Sequence, residues 1–517
     1  MALGCVRQYG LNAFLARIVR LNSGCSVESS GQLKERCTTL QEKPIDKHNS
    51  LSRYRDYDLA HVDSAFQSAL ASFNKKIIVL DDDPTGVQTV HGINVYTDWN
   101  RQSIEQGFDE SNSMFFILTN SRGLTESQTK ALYTKISKNV IDVAKEKNQE
   151  FIIISRGDST LRGHYPLETQ TLKETLEEFD GRTIDGEIII PFFKEGGRFT
   201  IDNIHYVADN NILVPAGETE FAKDRTFGYT SSHLGEWVEE KSNGTFKKES
   251  VIYISLDELR SEDYKGITDK LIKVTDFNKV VVNAIDYYDV KVFVTSVVKA
   301  IMCGKNFLFR SAAALPKIIG GVSDKPLLTR QELINTTNKN GGIVIVGSHV
   351  ERTTTQLENL KKASYVEFVE FNQHLVLDDY AFRREMERVI AVTEDNIIKG
   401  RTVAVYTRRN RFDLNTGNKE DELLLAIKIS DALTSIISNL KVRPNFIIAK
   451  GGITSSDVGT KGLNVKKAFV LGQVLYGIPV WLTGSESKFP NMPYVIFPGN
   501  VGSETALLEI VNIMQPT

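Results

Sequence analysis

The sequence predicts an α/β fold with two α/β domains, mainly parallel sheets, and an active-site cleft between the domains. Short apolar runs alternate with longer amphipathic stretches along most of the chain. The apolar runs are continuous and not alternating, which is typical of strands buried on both faces. A length of 517 residues exceeds what one hydrophobic core normally holds, so more than one domain is expected.

The strand candidates are short runs rich in β-branched and aromatic residues. In the first half they are "KIIVL" (76–80), "MFFILT" (114–119), "FIIIS" (151–155), "EIII" (187–190), "VIYIS" (251–255), "KVVVN" (279–283) and "NFLFR" (306–310). In the second half they are "GIVIV" (342–346), "YVEFVEF" (365–371), "TVAVY" (402–406), "NFIIA" (445–449), "AFVL" (468–471) and "YVIF" (494–497). Helical patterns occur at 125–147, 289–302, 379–397 and 420–439. This alternation predicts parallel strands joined by helices.

A polar segment at 321–341 contains no strand candidate and marks the predicted domain junction. The predicted organisation is an N-terminal extension at 1–50, a first domain at 74–320 and a second domain at 341–517. The extension contains Arg7, Arg17 and Arg20 but no acidic residue before Glu28. Such an opening is typical of organelle transit peptides, with a disordered extension as the alternative. The sequence therefore allows a cytoplasmic location or a mitochondrial or other organellar one.

Charge and hydropathy exclude several classes of protein. A formal net charge of −3 argues against a generally basic nucleic-acid binder. No apolar run approaches the roughly 18 residues that a membrane span requires, so no membrane partner is expected. The four cysteines show no CxxC spacing, which argues against a zinc site or a disulfide framework.

Charged segments follow three strand candidates of the first half. They are "DDDPTG" (81–86), "NSRG" (120–123) and "RGDSTLRGH" (156–164). Ligands of open α/β sheets bind beyond the carboxyl ends of the strands, so these segments are expected to meet at one edge. That edge would hold three aspartates and three arginines: Asp82, Asp83, Asp158, Arg122, Arg156 and Arg162. The planar fork of arginine suits a carboxylate ligand, whereas an internal network of Asp–Arg pairs is the structural alternative.

Loops rich in glycine, serine and threonine follow three strand candidates of the second half. They are "GSHVERTTTQ" (347–356), "KGGITSSDVG" (450–459) and "PGNVGSET" (498–505). Glycine lets the backbone approach a ligand, and helix N-termini offer free N–H groups to anions. Tight turns and helix caps would explain one such loop, but three favour a nucleotide cleft. The chain contains no P-loop motif and no protein-kinase motif set.

The acidic motif taken alone allows a second hypothesis. Asp81-x-Asp83-x-Thr85 after an apolar strand resembles the opening motif of haloacid-dehalogenase-like phosphatases, in which Asp81 would be the nucleophile and Asp83 the acid/base. The paired acids that such enzymes need after a later strand are missing: Arg162 stands four residues after Asp158. A non-catalytic binding or regulatory protein is a third hypothesis, which predicts loss of the acidic cluster or of the glycine loops.

Taken together, the motifs resemble the four-carbon acid sugar kinases, which include 3-oxo-tetronate, threonate and erythronate kinases. The resemblance rests on "DDDPTGVQTVHG", "TNSRG", "SRGDSTLRGHYPLE", "PFFKEGGRFT", "VPAGETEFAKDRTFGY", "GSHVERTTTQL", "KGGITSSDVG", "VLGQVLYGIPVW" and "FPGNVG". It implies a sugar-acid-binding first domain, a nucleotide-binding second domain, and ATP with Mg²⁺. The implied sugar-acid residues are Asp82, Asp83, Asn120, Ser121, Arg122, Arg156, Asp158 and Arg162. The implied nucleotide residues are Ser348, Gly451, Gly452, Thr454, Gly499 and Asn500.

The resemblance suggests a mechanism in which Asp82 or Asp83, with Asp82 preferred, accepts the proton of the substrate's terminal hydroxyl. Repulsion within the cluster is expected to raise the pKa of one member, as a base requires. One or more of Arg122, Arg156 and Arg162 would hold the substrate carboxylate. A homodimer is also compatible with an enzyme of this size.

Overall fold

The computed structural model describes residues 43–517, apart from residues 336, 411, 413, 415–418, 500, 516 and 517. The predicted targeting segment and Asn500 of the predicted nucleotide site therefore lie outside the described residues. Residues 43–50, at the end of the predicted extension, are described and contain a short strand and the start of a helix. In the described part of the chain, no helix is long and apolar enough to cross a membrane.

The strands occur along the whole described chain. They are β1 (Ile45–Asp46), β2 (Lys76–Asp81), β3 (Asn94–Tyr96), β4 (Met114–Leu118), β5 (Phe151–Arg156), β6 (Gly186–Ile190), β7 (Arg198–Ile201), β8 (Ile204–Asp209), β9 (Ile212–Pro215), β10 (Ile252–Ile254), β11 (Asn278–Val282), β12 (Phe307–Ser311), β13 (Ile343–Val346), β14 (Val366–Phe371), β15 (Thr402–Thr407), β16 (Ile447–Lys450), β17 (Lys467–Leu475), β18 (Ile478–Thr483) and β19 (Pro493–Phe497). Every strand candidate of the sequence overlaps one of them, and the predicted α/β class is confirmed.

The helices alternate with these strands. They are α1 (Lys47–Ser52), α2 (Leu59–Ser72), α3 (Arg101–Asp109), α4 (Glu126–Lys147), α5 (Leu167–Phe179), α6 (Leu234–Lys241), α7 (Leu256–Arg260), α8 (Tyr264–Ile272), α9 (Tyr287–Met302), α10 (Ala314–Ile319), α11 (Arg330–Leu333), α12 (Glu351–Leu360), α13 (Asp379–Ile398), α14 (Lys419–Asn439), α15 (Gly452–Asp457) and α16 (Ala506–Met514).

Strand β2 illustrates why these segments form a layered core. Its six residues "KIIVLD" are all buried, and successive side chains point to opposite faces. Ile77 and Val79 pack in the cluster that contains residues of α2 and α9, whereas Ile78 and Leu80 pack in the cluster that contains residues of α4. The strand is therefore apolar throughout because helices cover both faces of the sheet.

Fifteen strands form one continuous sheet. Its order is β10–β11–β6–β12–β5–β2–β4–β3–β17–β18–β19–β16–β13–β15–β14. The first eight strands are parallel to one another, and so are the last five. Three antiparallel pairings, β3–β17, β17–β18 and β18–β19, join the two groups, so the groups run in opposite directions.

The short strand β3 carries the connection between the two halves. Val95 pairs with Phe116 of β4 on one side and with Ala468 of β17 on the other. The sequence did not indicate β3 because three residues are too few to show a pattern. For the same reason it did not indicate β1. Strands β7, β8 and β9 were not indicated either, because the half-exposed antiparallel sheet β1–β9–β8–β7 lacks the continuous apolar runs of the main sheet.

Candidate active site

The acidic cluster begins at the last residue of β2. Asp81 and Asp82 are each only 2% exposed, and Arg156 at the end of β5 lies beside both. Its Nη1 is 3.4 Å from Oδ1 of Asp81 and 3.7 Å from Oδ1 of Asp82. The neighbouring strands β2 and β5 are parallel, so their carboxyl ends bring these charges to one edge, as the sequence predicts.

Asp83 has a different environment from the two acids that precede it. Its side chain is 17% exposed, and its Oδ1 accepts a hydrogen bond of 2.8 Å from the backbone N–H of Thr85. That bond begins the short 3₁₀ turn at Pro84–Val87, which carries the chain away from the sheet edge. Asp83 is therefore the most solvent-exposed member of the cluster.

Arg122 connects the cluster to the third charged segment. Its guanidinium forms an ion pair with Asp83, and it lies 3.3 Å from Oδ2 of Asp82 and 3.7 Å from Oδ1 of Asp158. The loop that holds it begins with Asn120 in the left-handed conformation (φ 51°). The next residue, Ser121, is fully buried, and its hydroxyl donates 2.6 Å to Glu168. Ser121 thus lies in the support of the loop.

Asp158 and Arg162 form the outer part of the same network. Nε of Arg162 donates 2.8 Å to Oδ2 of Asp158, and its Nη1 lies 3.8 Å from Oδ2 of Asp224. Although burial opposes ionisation, Arg162 and Arg122 hold the pKa of Asp158 well below its ordinary value. The structure therefore brings together the three aspartates and three arginines that the sequence places at this edge.

Two glycines give the buried charges the room that they occupy. A Cβ placed on Gly86 would lie 1.7 Å from Oδ2 of Asp81, and a Cβ placed on Gly157 would lie 2.3 Å from Cζ of Arg310. Arg310, at the end of β12, is buried and forms an ion pair with Glu168. The sequence analysis missed Arg310 and Glu168, although Arg310 ends an apolar strand as Arg156 does.

The pKa values within the cluster separate its members. Burial raises the pKa of Asp81 to about 8, against the opposing charge of Arg156. Burial also raises the pKa of Asp82 to about 6, although Arg122, Arg156 and Arg310 oppose it. Repulsion within the cluster, which the sequence analysis expects to be the cause, is the smaller contribution. For Asp83, burial is outweighed by Arg122 and by the bonds from Thr85, so its pKa is lowered.

The glycine loops of the second half also meet. Gly451 has φ 121°, a conformation that favours glycine, and a Cβ placed there would lie 3.0 Å from Cβ of Ser348. Oγ1 of Thr454 would be 3.3 Å from the same position. A Cβ placed on Gly499 would lie 3.7 Å from Oγ of Ser348. The ends of β13, β16 and β19 therefore form one group of loops, with α12 beginning beside it.

Two cations beside these loops are not among the predicted site residues, although Lys450 begins the segment "KGGITSSDVG". Lys450 is fully buried, and its Nζ donates to the backbone carbonyls of Pro498 and Gly499. Burial lowers its pKa to about 6. Arg409, after β15, donates 2.7 Å to the carbonyl of Ser348 and 2.8 Å to Oγ1 of Thr354. Both follow apolar strands, which is the signal that could have identified them.

The two groups of loops open onto a common region. A Cβ placed on Gly452 would lie 3.4 Å from Oδ2 of Asp83. Residues 84–87 contact α15, and Gln88 donates 3.0 Å to the carbonyl of Gly477 between β17 and β18. A cavity of about 840 Å³ is lined from the first half by Arg162 and Arg198 and from the second half by Val350 and Arg352, whereas neither Asp83 nor Gly452 lines it.

Family models match both halves of the chain. A sugar-binding N-terminal domain matches residues 77–319, and a nucleotide-binding C-terminal domain matches residues 343–507. The chain therefore carries a sugar-binding domain followed by a nucleotide-binding domain. The acidic cluster lies in the sugar-binding domain, and the glycine loops lie in the nucleotide-binding domain. This pairing fits the four-carbon acid sugar kinases that the motifs resemble.

Solved structures share the fold of this sugar-binding and nucleotide-binding pair. A Haemophilus influenzae protein of the DUF1537 family has a TM-score of 0.56 and 17% identity, over 84% of this chain and 100% of its own. A protein described as a putative tRNA synthase from Salmonella typhimurium has a TM-score of 0.59 and 14% identity, over 84% of this chain and 98% of its own. No curated protein matches the chain.

Proposed function

We propose that the protein is an ATP-dependent kinase that phosphorylates the terminal (C4) hydroxyl of a four-carbon sugar acid such as 3-oxo-tetronate, threonate or erythronate. The observation that carries this proposal is the contact between Asp83 of the sugar-binding domain and Gly452 of the nucleotide-binding domain. A kinase requires its two substrates to meet, and this contact gives an acidic sugar site and a glycine-rich nucleotide site a common border.

Asp82 is the proton acceptor in this proposal. A general base works best when its pKa lies near the working pH, and the pKa of Asp82 is about 6. Both of its carboxylate oxygens are buried without a hydrogen-bond partner, so they remain available to a hydroxyl. Arg122 covers Asp82 in this arrangement, and the incoming hydroxyl must displace part of that side chain. Asp83, whose pKa is lowered by its ion pair, is the weaker base.

The nucleotide-binding domain supplies charge neutralisation. Phosphoryl transfer depends mainly on positioning and on stabilising the charge of the transferred group. The phosphates would be surrounded by the predicted nucleotide residues, which are Ser348, Gly451, Gly452, Thr454, Gly499 and Asn500. Lys450 and Arg409 lie behind these loops, and no described carboxylate pairs with either cation in an observed ion pair. No acidic partner therefore competes with the phosphates of ATP for either cation, and bound phosphates would favour the protonated form of Lys450.

Mg²⁺ is the metal expected with ATP. No group of three or more His, Cys, Asp and Glu side chains among the described residues is arranged to hold a metal ion. Mg²⁺ at kinase sites is usually held by substrate phosphates with one or two carboxylates, so a cage of protein ligands is not required. Asp83, whose partly exposed side chain lies beside Gly452, fits as such a carboxylate. When bound, the ion would neutralise charge on the phosphates.

The phosphatase alternative receives no support from the position of Asp81. A nucleophile must reach the phosphorus atom of its substrate. The carboxylate of Asp81 fits against Gly86 and lies next to Arg156, and burial raises its pKa to about 8, so at neutral pH it is mostly in the protonated, non-nucleophilic form. Nothing in this environment favours it as a nucleophile.

An assay of ATP-dependent phosphorylation over a panel of four-carbon sugar acids tests the proposal. The panel contains 3-oxo-tetronate and the stereoisomers of threonate and erythronate, with product position determined by NMR. The expected result is ADP formation with phosphate on C4 for at least one acid. An Asp82→Asn variant controls for contaminating kinases. ATP turnover with none of the acids, or phosphatase activity that depends on Asp81, would contradict it.

A further inference from the structure

Arg198, the first residue of β7, differs from the other arginines around the acidic cluster. Its Nη1 donates to the carbonyl of Gly196, while its Nε is buried without a hydrogen-bond partner. No ion pair joins Arg198 to a carboxylate of the described part of the chain, although Asp158 is close enough to act on its pKa. Arg198 is thus a partly buried cation whose charge is not balanced by a direct contact.

The remaining arginines have acidic partners already. Arg122 faces Asp82, Asp83 and Asp158, and Arg156 faces Asp81 and Asp82. A substrate carboxylate that bound either of them would have to compete with these buried acids. Among the arginines of the sugar-binding domain that line the cavity, Arg198 can accept a new anion without losing an acidic partner; Arg352, which also lines the cavity, belongs to the nucleotide-binding domain.

Arg198 shares its surroundings with Arg162. The Cζ atom of Arg198 lies 5.6 Å from the ring centroid of Phe221, and the Cζ atom of Arg162 lies 5.1 Å from the same centroid. Both guanidinium groups line the cavity of about 840 Å³ between the two domains. Burial and the charge of Arg162 lower the pKa of Arg198, so an anion between the two cations would relieve an unfavourable interaction.

The cavity also contains acids, but they lie at its exposed rim. Asp209, Glu220, Glu351 and Glu504 line it, and all four residues are solvent-exposed. None of them forms an observed ion pair with Arg198 or Arg162; the acidic partners of Arg162 are Asp158 and Asp224. Because exposed charges are screened by solvent, these acids oppose an anion beside the half-buried Arg162 and Arg198 only weakly.

We propose that Arg198, with Arg162 beside it and Phe221 as a common support, binds the carboxylate of the substrate and selects acids over neutral sugars. This inference rests on the proposed function, since it names the group that recognises the sugar acid. Arg198 belongs to the sugar-binding domain, whereas the glycine loops that suit phosphates belong to the other domain. A planar guanidinium donates two parallel hydrogen bonds to a carboxylate, which a lysine cannot do.

Calorimetry without nucleotide tests the carboxylate site directly. The probes are threonate, erythronate and 3-oxo-tetronate, each compared with its uncharged amide. The wild-type protein is expected to bind at least one acid well above its amide. Arg198→Ala and Arg198→Gln should weaken binding of that acid about 10- to 100-fold and remove the preference over the amide. Arg198→Lys should restore only a small part of the affinity.

Two controls separate this role from a structural one and from nucleotide binding. Arg383→Ala, which removes an exposed arginine of α13, should change neither affinity nor thermal unfolding. The Kd for ATP should stay within about twofold in the Arg198 variants. The site is contradicted if the folded Arg198→Gln protein keeps the wild-type preference for the acid, if it loses ATP affinity instead, or if the wild type binds no acid. Binding that depends on Arg198 without any phosphorylation would support the site and contradict the kinase.

Discussion

Gly452 of the nucleotide-binding domain lies directly against Asp83 of the sugar-binding domain: a Cβ on the glycine would be 3.4 Å from Oδ2 of the aspartate. That distance is an ordinary van der Waals contact, so one added carbon fits but a larger side chain does not. The glycine-rich loop of one domain and the acidic loop of the other therefore meet at this contact.

Enlarging Gly452 should separate the two loops. Gly452→Leu is expected to lower kcat about 100-fold, because a displacement near 1 Å at a reacting centre can have that effect. Gly452→Ala is the matched control and should retain activity, since its Cβ fits. Both variants should unfold at similar temperatures. A Leu variant with wild-type kcat would show that this contact does not border the reacting groups.

Removing the charge of Asp82 should abolish most of the turnover. Asp82→Asn is expected to lower kcat by a factor of about 10² to 10⁴, the usual range for a general base. The Kd for ATP should hardly change, because Asp82 lies in the other domain. In the wild type, kcat/KM should fall as the pH drops below about 6, where Asp82 becomes protonated. Steady-state kinetics between pH 5 and 9 measure both effects, and normal turnover of the variant would exclude Asp82 as the base.

Gly86 should not tolerate a side chain. A Cβ at this position would overlap the Asp81 carboxylate, which is confined by Arg156 and has no free space to enter. Gly86→Ala is therefore expected to reduce the free energy of unfolding by about 1–3 kcal/mol. Gly123→Ala is the matched control, because nothing lies within 4 Å of its Cβ position. Equal denaturant midpoints for the two variants would contradict this interpretation.

Asp81 should make stability depend on pH. Its pKa is about 8 in the folded protein and 3.8 in the unfolded chain, so between these values the folded state binds more protons. The stability that the protonated carboxyl contributes is fully present below pH 3.8 and is lost as the pH rises through 8. Relative to Asp81→Asn, the wild type should therefore lose stability from pH 5 to pH 9. Denaturant unfolding at several pH values measures this difference, and a constant difference would refute it.

Lys450 should gain a proton when ATP binds. Its pKa is about 6 in the free protein, and nearby phosphates favour its charged form. At pH 7.5, calorimetry in buffers of different ionisation enthalpy should show proton uptake with the wild type and less with Lys450→Met. The variant should also bind ATP more weakly, about 10-fold or more. The same uptake in both proteins would place the phosphates away from Lys450.

Much of the candidate site could be predicted because its residues follow apolar strands. Asp82, Arg122 and Arg156 are recognisable in the sequence since a parallel sheet brings strand ends to one edge. Lys450 and Arg409 stand at or after strand ends in the same way, but Lys450 was interpreted as part of the glycine-rich segment 450–459 and Arg409 is a single cation outside the three loops. Arg198 was harder still to predict, because it begins a short strand of a separate antiparallel sheet and lies near Arg162 through contacts that are distant in sequence, such as their common neighbour Phe221.

The sequence by itself determined the α/β class, the main strands and the two groups of chemically distinct loops, because hydrophobic patterning and strand-end residues are local properties. It did not determine how those loops meet. The parallel strands of the two halves run in opposite directions, so strand ends alone would not bring them together. The pairing of β3 with β17 and the crossing of residues 84–88 bring Asp83 to Gly452, and both depend on contacts between residues more than 350 positions apart in the chain.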